Sequence, residues 1–208
     1  MPRRSDAFPI CAALALTACT LGVPALAADD ADPTWPCVQR KAPELSLGLM
    51  WATPVPDDAV PEDRKSAADA LAARLALRRV PEADLPPLIA DFVAANGADR
   101  DLLGAVFAHV FRTLSRTRTA VMGGIERYSL DQIALSKRID AARDEMDRIA
   151  AEAEPDFDRM DALEEQIDWD ERIYDDRRRS LTYVCETPVL IEKRLYAVAQ
   201  MLAAAAQD

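Results

Sequence analysis

Histidine is almost missing from these 208 residues; the only one is His109. Glycine is scarce at six, and aromatic residues make up 6% of the chain. No Cys-Xaa-Xaa-Cys, glycine-rich phosphate loop, His-Glu-Xaa-Xaa-His or Gly-Xaa-Ser-Xaa-Gly occurs. The common redox, nucleotide, zinc-protease and serine-hydrolase signatures are therefore absent. The one glycine pair, Gly123-Gly124, stands alone inside a helical pattern, where close packing or a local kink explains it better than a phosphate cradle. Positive charge is also in short supply, with 25 Lys and Arg against 36 Asp and Glu. A nucleic-acid role is disfavoured, because phosphate binding needs a basic footprint. What remains is a chain half apolar and poor in aromatics, the composition of an Ala- and Leu-rich helical protein.

The first residues read as an address. Met1-Pro2-Arg3-Arg4 is basic, residues 7–26 are largely apolar, and Ala25-Leu26-Ala27 precedes Ala28-Asp29-Asp30. This layout predicts a secretory signal cleaved after Ala27, and hence a periplasmic or secreted protein with no membrane span in the mature chain. Leu16-Thr17-Ala18-Cys19 also resembles a bacterial lipobox, which would leave a lipid anchor on Cys19. The apolar run continuing past Cys19 favours cleavage at Ala27.

Removing the signal removes Cys11 and Cys19 and leaves Cys37 and Cys185, an even pair in an oxidising compartment. A disulfide between them is expected, fastening the chain's beginning to the side of a late helix. Residues 28–58 cannot form a continuous helix, being interrupted by Pro33, Pro36, Pro43, Pro54 and Pro56. They are too apolar for a free linker, with Trp35, Leu45, Leu47 and Trp51 among them. An ordered, extended strap is expected, its two tryptophans packed on the core.

Two short helices follow in residues 59–97. The first has Pro61 and Glu62-Asp63 at its start and a face of Ala68, Leu71, Ala72 and Leu75, and it runs to Arg79 before Val80-Pro81. The second carries Leu85, Leu88, Ile89, Phe92 and Val93 behind Pro86-Pro87, and Asn96-Gly97 closes it.

Residues 98–208 carry the strongest pattern. Leu103, Phe107, Val110, Leu114, Thr117 and Val121 step by four and three, with an extra step of four placed at Gly123-Gly124. Tyr128, Gln132, Leu135, Ile139, Ala142, Met146 and Ile149 resume the rhythm. Beyond Glu154-Pro155-Asp156, the series Met160, Ile167, Tyr174, Leu181, Pro188, Leu195, Leu202 keeps a seven-residue period. Leu163, Asp170, Arg177, Val184, Ile191 and Val198 accompany it. Two seven-residue registers separated by a proline predict an antiparallel coiled-coil hairpin turning near residues 154–158. Pro155 should end the first helix at Glu154, with Asp156 or Asp158 capping the second and Phe157 as staple. The apolar stripe is wide near residues 102–111 and 189–202 and narrow elsewhere. A wide stripe needs several neighbours, so a helical base with a projecting hairpin is expected. Asp170 and Arg177, polar at seam positions, are expected to lean out to water.

Charge singles out the distal hairpin. Residues 140–176 hold 16 Asp or Glu against 4 Arg, and Arg177-Arg178-Arg179 follows. A solvated surface is the plain explanation, and docking onto a basic partner is the functional one. Asp156, Asp158 and Asp161 crowd the turn, but the glycine and closing glutamate of a calcium loop are missing, so no metal or other cofactor is expected. Trp169, two residues past the seam position Ile167, should face away from the opposite arm and is the first candidate for partner contact, with Phe157, Asp158 and Asp161 beside it. His109 falls in or on the rim of the apolar base, where a packing role is the ordinary one. Carboxylate pairs abound, as helical spacing on an acidic surface creates them by chance.

The expectation is thus an all-α, acidic, exported protein with a disulfide-fastened helical base and a long antiparallel coiled-coil hairpin. It is expected to act without enzymatic chemistry, as an interaction or scaffold module contacting an envelope protein of unknown identity through the hairpin. The alternatives are a divalent-cation or small-ligand binding protein, and an enzyme whose carboxylates converge in the base. In shape alone such a hairpin resembles the projecting arms of envelope chaperones and export-system adaptors, with no shared motif behind the likeness.

Overall fold

A computed structural model describes residues 32–57 and 59–207. The expected signal, its cleavage site and the Cys19 lipobox lie outside these described residues. Within them the protein is all-helical: α1 spans Glu62–Ala76, α2 Leu85–Asn96, α3 Arg100–Ala150 and α4 Phe157–Ala205. Ahead of α1, residues 32–57 run as irregular backbone with a single 3-10 turn at Leu47–Leu49.

Each boundary has a local cause. Pro61 precedes the first turn of α1, where Glu62 and Asp63 meet the positive end of the helix. Pro86 and Pro87 occupy the opening turn of α2, where an amide donor is not needed. Gly97 closes α2 at φ 93°, a backbone conformation that a side chain would oppose. Asp99 caps α3 by accepting from the Leu102 amide at 3.0 Å. Asp156 caps α4 through the Arg159 amide at 3.0 Å. The Gln207 amide donates to the Ala98 carbonyl at 2.8 Å, so the segment just past α4 is tied to the residue just ahead of the α3 cap.

α3 and α4 form an antiparallel hairpin, α1 packs on α3, and α2 packs on α4. α3 alone has 51 residues, a rod of ~76 Å at 1.5 Å per residue. Three apolar clusters lie along the hairpin. The base is the largest, with Leu75, Leu85, Leu103, Phe107, Ile191 and Leu195 all fully buried. Trp51 of the strap stacks on Phe107 there, with centroids 5.7 Å apart. Its ring passes so close to α3 that a Cβ on Gly104 would sit 2.9 Å from Trp51 Nε1. A middle cluster gathers Ile125, Cys37 and Cys185, with Trp35, Val121 and Leu181 against them. The distal cluster joins Leu135, Ile139, Ala142 and Ile149 to Leu163 and Ile167, with Met146 packed alongside.

The expected disulfide is present: Cys37 and Cys185 are bonded, their Cα atoms 5.5 Å apart. It is one of several ties along the strap. Ser129 Oγ donates to the Pro33 carbonyl at 2.7 Å. The Gln39 amide donates to the Cys185 carbonyl. Lys41 pairs with Asp32 at 3.0 Å and with Glu126 at 2.9 Å. Buried Arg118 donates to the Ala42 carbonyl at 2.6 Å and to Glu192 at 2.7 Å.

The register differs from expectation in places where that strap intervenes. Thr117 is exposed and Arg118 is buried in its stead, so the extra step of four falls at Leu114-Arg118-Met122 rather than at the glycine pair. The strap carbonyls reward an arginine at that position, and the helix rotates to supply it. On α4, Cys185 takes the inward position assigned to Val184, because the disulfide fixes which residue faces the strap. Leu190 and Tyr196, assigned to the wide apolar face, are exposed. α3 ends at Ala150, four residues before Glu154, and α1 ends at Ala76 rather than Arg79.

The early end of α1 has a visible cause. Arg194, buried on α4, donates to the carbonyls of Leu75 at 2.9 Å, Val80 at 2.8 Å and Leu77 at 3.1 Å. One guanidinium thus satisfies the acceptors left open where the helix stops. Burial pushes this group below the usual arginine range, while the Glu82 carboxylate acts the other way. Asp170 also departs from expectation. It is buried, and Arg138 grips both of its carboxylate oxygens. Arg177 turns aside, its guanidinium 6.0 Å from the centre of the Tyr128 ring.

Candidate functional site

The seam side of distal α4 is defined by Leu163, Ile167 and Asp170, all buried. At 100° per residue, the opposite side is the line through Asp158, Asp161, Ala162, Glu165, Asp168, Trp169 and Arg172, and every one of these residues is exposed. Trp169 lies in the middle of this line and is 62% exposed. Its bulk and the aliphatic stems beside it form a shallow surface bounded by Asp161, Glu164, Glu165, Asp168 and Arg172. All of these come from one helix, so this is an open face and not an enclosed cavity.

The four contact candidates divide into two pairs. Trp169 and Asp161 border the same surface. Phe157 and Asp158 stand at the first turn of α4, ~16–18 Å from Trp169 along the axis but within about one turn of Asp161. Phe157 does not act as a staple. It is the first helical residue, two positions past the staple position ahead of the Asp156 cap, and is 69% exposed. Pro155 lies in the turn between Ala150 and Phe157, as the sequence placed it.

The distal acids are only partly neutralised. Arg159 pairs with Glu145 at 2.7 Å, and Arg143 bridges Asp140 and Glu171. The Arg177-Arg178-Arg179 run spends itself locally, with Arg178 on Asp175 at 3.5 Å and Arg179 on Asp176. Among the described residues no three His, Cys, Asp or Glu side chains converge as a metal site would require.

The base holds a cleft of about 570 Å³ where the strap, α1 and α3 meet. Val55, Val60, Ala68 and Val106 line it with apolar surface, while Lys65, Asp69, His109 and Arg112 bring polar heads to it. His109 Nδ1 lies 2.9 Å from Asp69 Oδ1 and the ring is half-buried, which places this residue on the rim of the base. Sequence reasoning gave no sign of the Asp69 contact, because the two residues are 40 apart on different helices. Arg118 and Arg194 were missed too. Each stands at a polar interruption of an apolar face, a signal that reads equally well as a surface position.

The chain matches no family model, and no curated protein and no solved structure matches it. No helix among the described residues is long and apolar enough to cross a membrane.

Proposed function

We propose that this is an exported, non-enzymatic interaction or scaffold protein of the cell envelope that contacts a partner through the outer face of distal α4. The observation that carries the reading is Trp169, largely exposed at the centre of an acidic face with Arg172 beside it. A large aromatic ring held on a rigid helix and framed by carboxylates suits a partner with an apolar recess inside a basic rim. The strapped base then serves as the mount that holds this face away from the rest of the molecule. The acids steer the encounter and the ring supplies the anchor.

The test is capture of partners from an envelope extract with the intact chain and with Trp169→Ala. The expected result is a partner lost at the alanine variant and at high salt. Partners retained equally by both forms would overturn the reading. Export is tested separately by mass spectrometry of the mature N-terminus. A chain beginning at Ala28 supports a periplasmic or secreted protein, and an acylated Cys19 supports a lipid anchor.

The base cleft supports a second reading, a small-ligand binding protein. Its mixed apolar floor and polar mouth have the character of ligand sites. A His109→Gln variant that leaves ligand-induced thermal shifts unchanged across a metabolite set would remove it.

A further inference from the structure

The base cleft is built around a close approach. The strap passes α3 at Gly104, where a Cβ would meet Val55 Cγ2 at 3.0 Å as well as the Trp51 ring. That seat fixes Val55 as one wall, and Val60, Ala68 and Val106 complete an apolar floor. Along α3 the cleft is lined by Ala105, Ala108, His109 and Arg112. The two alanines keep the hollow open, and the longer side chains stand at its mouth. At about 570 Å³ the space lies within the range of sites for small organic molecules.

Six titratable side chains border this floor, and four of them are spent on each other. Lys65 pairs with Glu62 at 3.8 Å, and His109 Nδ1 lies 2.9 Å from Asp69 Oδ1. Asp57 and Arg112 are left. Among the described residues neither side chain has a hydrogen-bond or ion-pair partner, and the two do not reach each other. Either one alone is an ordinary solvated charge. Together they give the cleft one open carboxylate from the strap and one open guanidinium from α3, over a shared apolar floor.

We propose that the cleft binds a short zwitterion with an aliphatic body, either a free branched-chain amino acid or a dipeptide of such residues; the proposal rests on the reading of the cleft as a small-ligand site and names the ligand. The ligand's carboxylate takes the Arg112 guanidinium, whose forked N–H donors match two carboxylate oxygens. Its ammonium donates to Asp57. Its branched side chain lies on Val55, Val60 and Val106, where the burial of apolar surface supplies the rest of the attraction. The same arrangement discriminates by leaving a charge unmet. An aliphatic carboxylate would turn its apolar end to Asp57, and an aliphatic amine would leave Arg112 without an anion. The cleft is open and both charges are hydrated before binding, so the affinity is expected to be weak, in the millimolar range.

An NMR titration of the purified chain at low salt tests this with L-leucine and leucyl-leucine, against isocaproate, isoamylamine and glycine. The three controls lack, in turn, the ammonium, the carboxylate and the apolar body. The expected result is saturable shifts at amides of the cleft with leucine or its dipeptide, and each control at least about tenfold weaker. The tighter of the two zwitterions identifies the source, because the span from Asp57 to Arg112 selects the ligand's length. Arg112→Gln and Asp57→Asn should each weaken that ligand about tenfold. Circular dichroism is expected to be unchanged, because both side chains are exposed. Arg74→Gln, exposed on α1 but outside the cleft, should leave the titration alone. Isocaproate binding as tightly as leucine, or a leucine affinity indifferent to both variants, would overturn the proposal and leave the small-ligand reading standing. No shift with any of these compounds would overturn it too, and the small-ligand reading then survives only if another metabolite gives a thermal shift that His109→Gln removes.

Discussion

The outer and middle thirds of the hairpin are built from the same two helices yet are held together in different ways. Around Ile139 and Leu163 the two arms bury a continuous apolar seam and need only each other. Between Arg118 and Gln132 the seam turns polar. Arg118 and Ser129 are buried there. Two helices alone would leave these groups poorly satisfied at real cost. The strap supplies what is missing. Its carbonyls at Pro33, Ala42 and Pro43 accept from Ser129 and Arg118, and its Cys37 is bonded to α4. An irregular segment, rich in free carbonyls, is a better partner for a polar stretch than a third helix would be, because a helix has spent its acceptors on itself.

The sharpest way to break this contrast is to cut the bond. The loop it closes gives a ceiling of about 5 kcal/mol, and a loss of about 2–4 kcal/mol on Cys37→Ser is expected in urea unfolding. Hydrogen exchange should quicken in residues 118–132 and 177–185 and change little in 139–167. Equal quickening in both regions would mean that the strap stabilises the whole rod. Next in size is Arg118→Met, which leaves the strap carbonyls of Ala42 and Pro43 without their donor. A loss of about 1–3 kcal/mol is expected, with Trp35 fluorescence reporting strap release. Asp170→Leu moves the other way. It replaces a buried carboxylate with a side chain that extends the distal seam, and the displaced Arg138 is already more than half exposed. A gain of about 1 kcal/mol is expected, and a clear loss would show that the ion pair fixes the register of the arms.

The smallest effect is in acid. The Thr34 hydroxyl, then Lys41, hold the Asp32 carboxyl at about 2, below its ordinary value of 3.8. A depressed carboxylate contributes above its unfolded value and loses that contribution as pH falls through its folded one. The N-terminal end of the strap should therefore loosen between about pH 4 and pH 2, read from the Thr34 amide resonance while the distal seam is unmoved.

The features legible in the sequence are those with a period. Leu135, Ile139, Ala142, Met146 and Ile149 announce their shared side by spacing alone, and the cysteine pair follows from counting. The proline in the turn marks where the chain reverses. Trp169 was legible because its offset from Ile167 sets its direction. What could not be read depends on contacts between distant segments. Arg118 and Arg194 are buried because carbonyls of the strap and of the α1 terminus lie opposite them, and no pattern within either helix encodes that. Asp170 is buried for the same reason, since Arg138 lies 32 residues away.

The placement of the two cysteines also sets an order of events. Cys37 emerges from the ribosome 148 residues ahead of Cys185, which at ~5–20 residues per second is a wait of about 7–30 s. During that interval its thiol has no proper mate, while α1, α2 and α3 are all made ahead of it. The last covalent stitch in this molecule therefore belongs to one of its earliest residues. Any oxidant that acts too soon has only the wrong sulfur to offer.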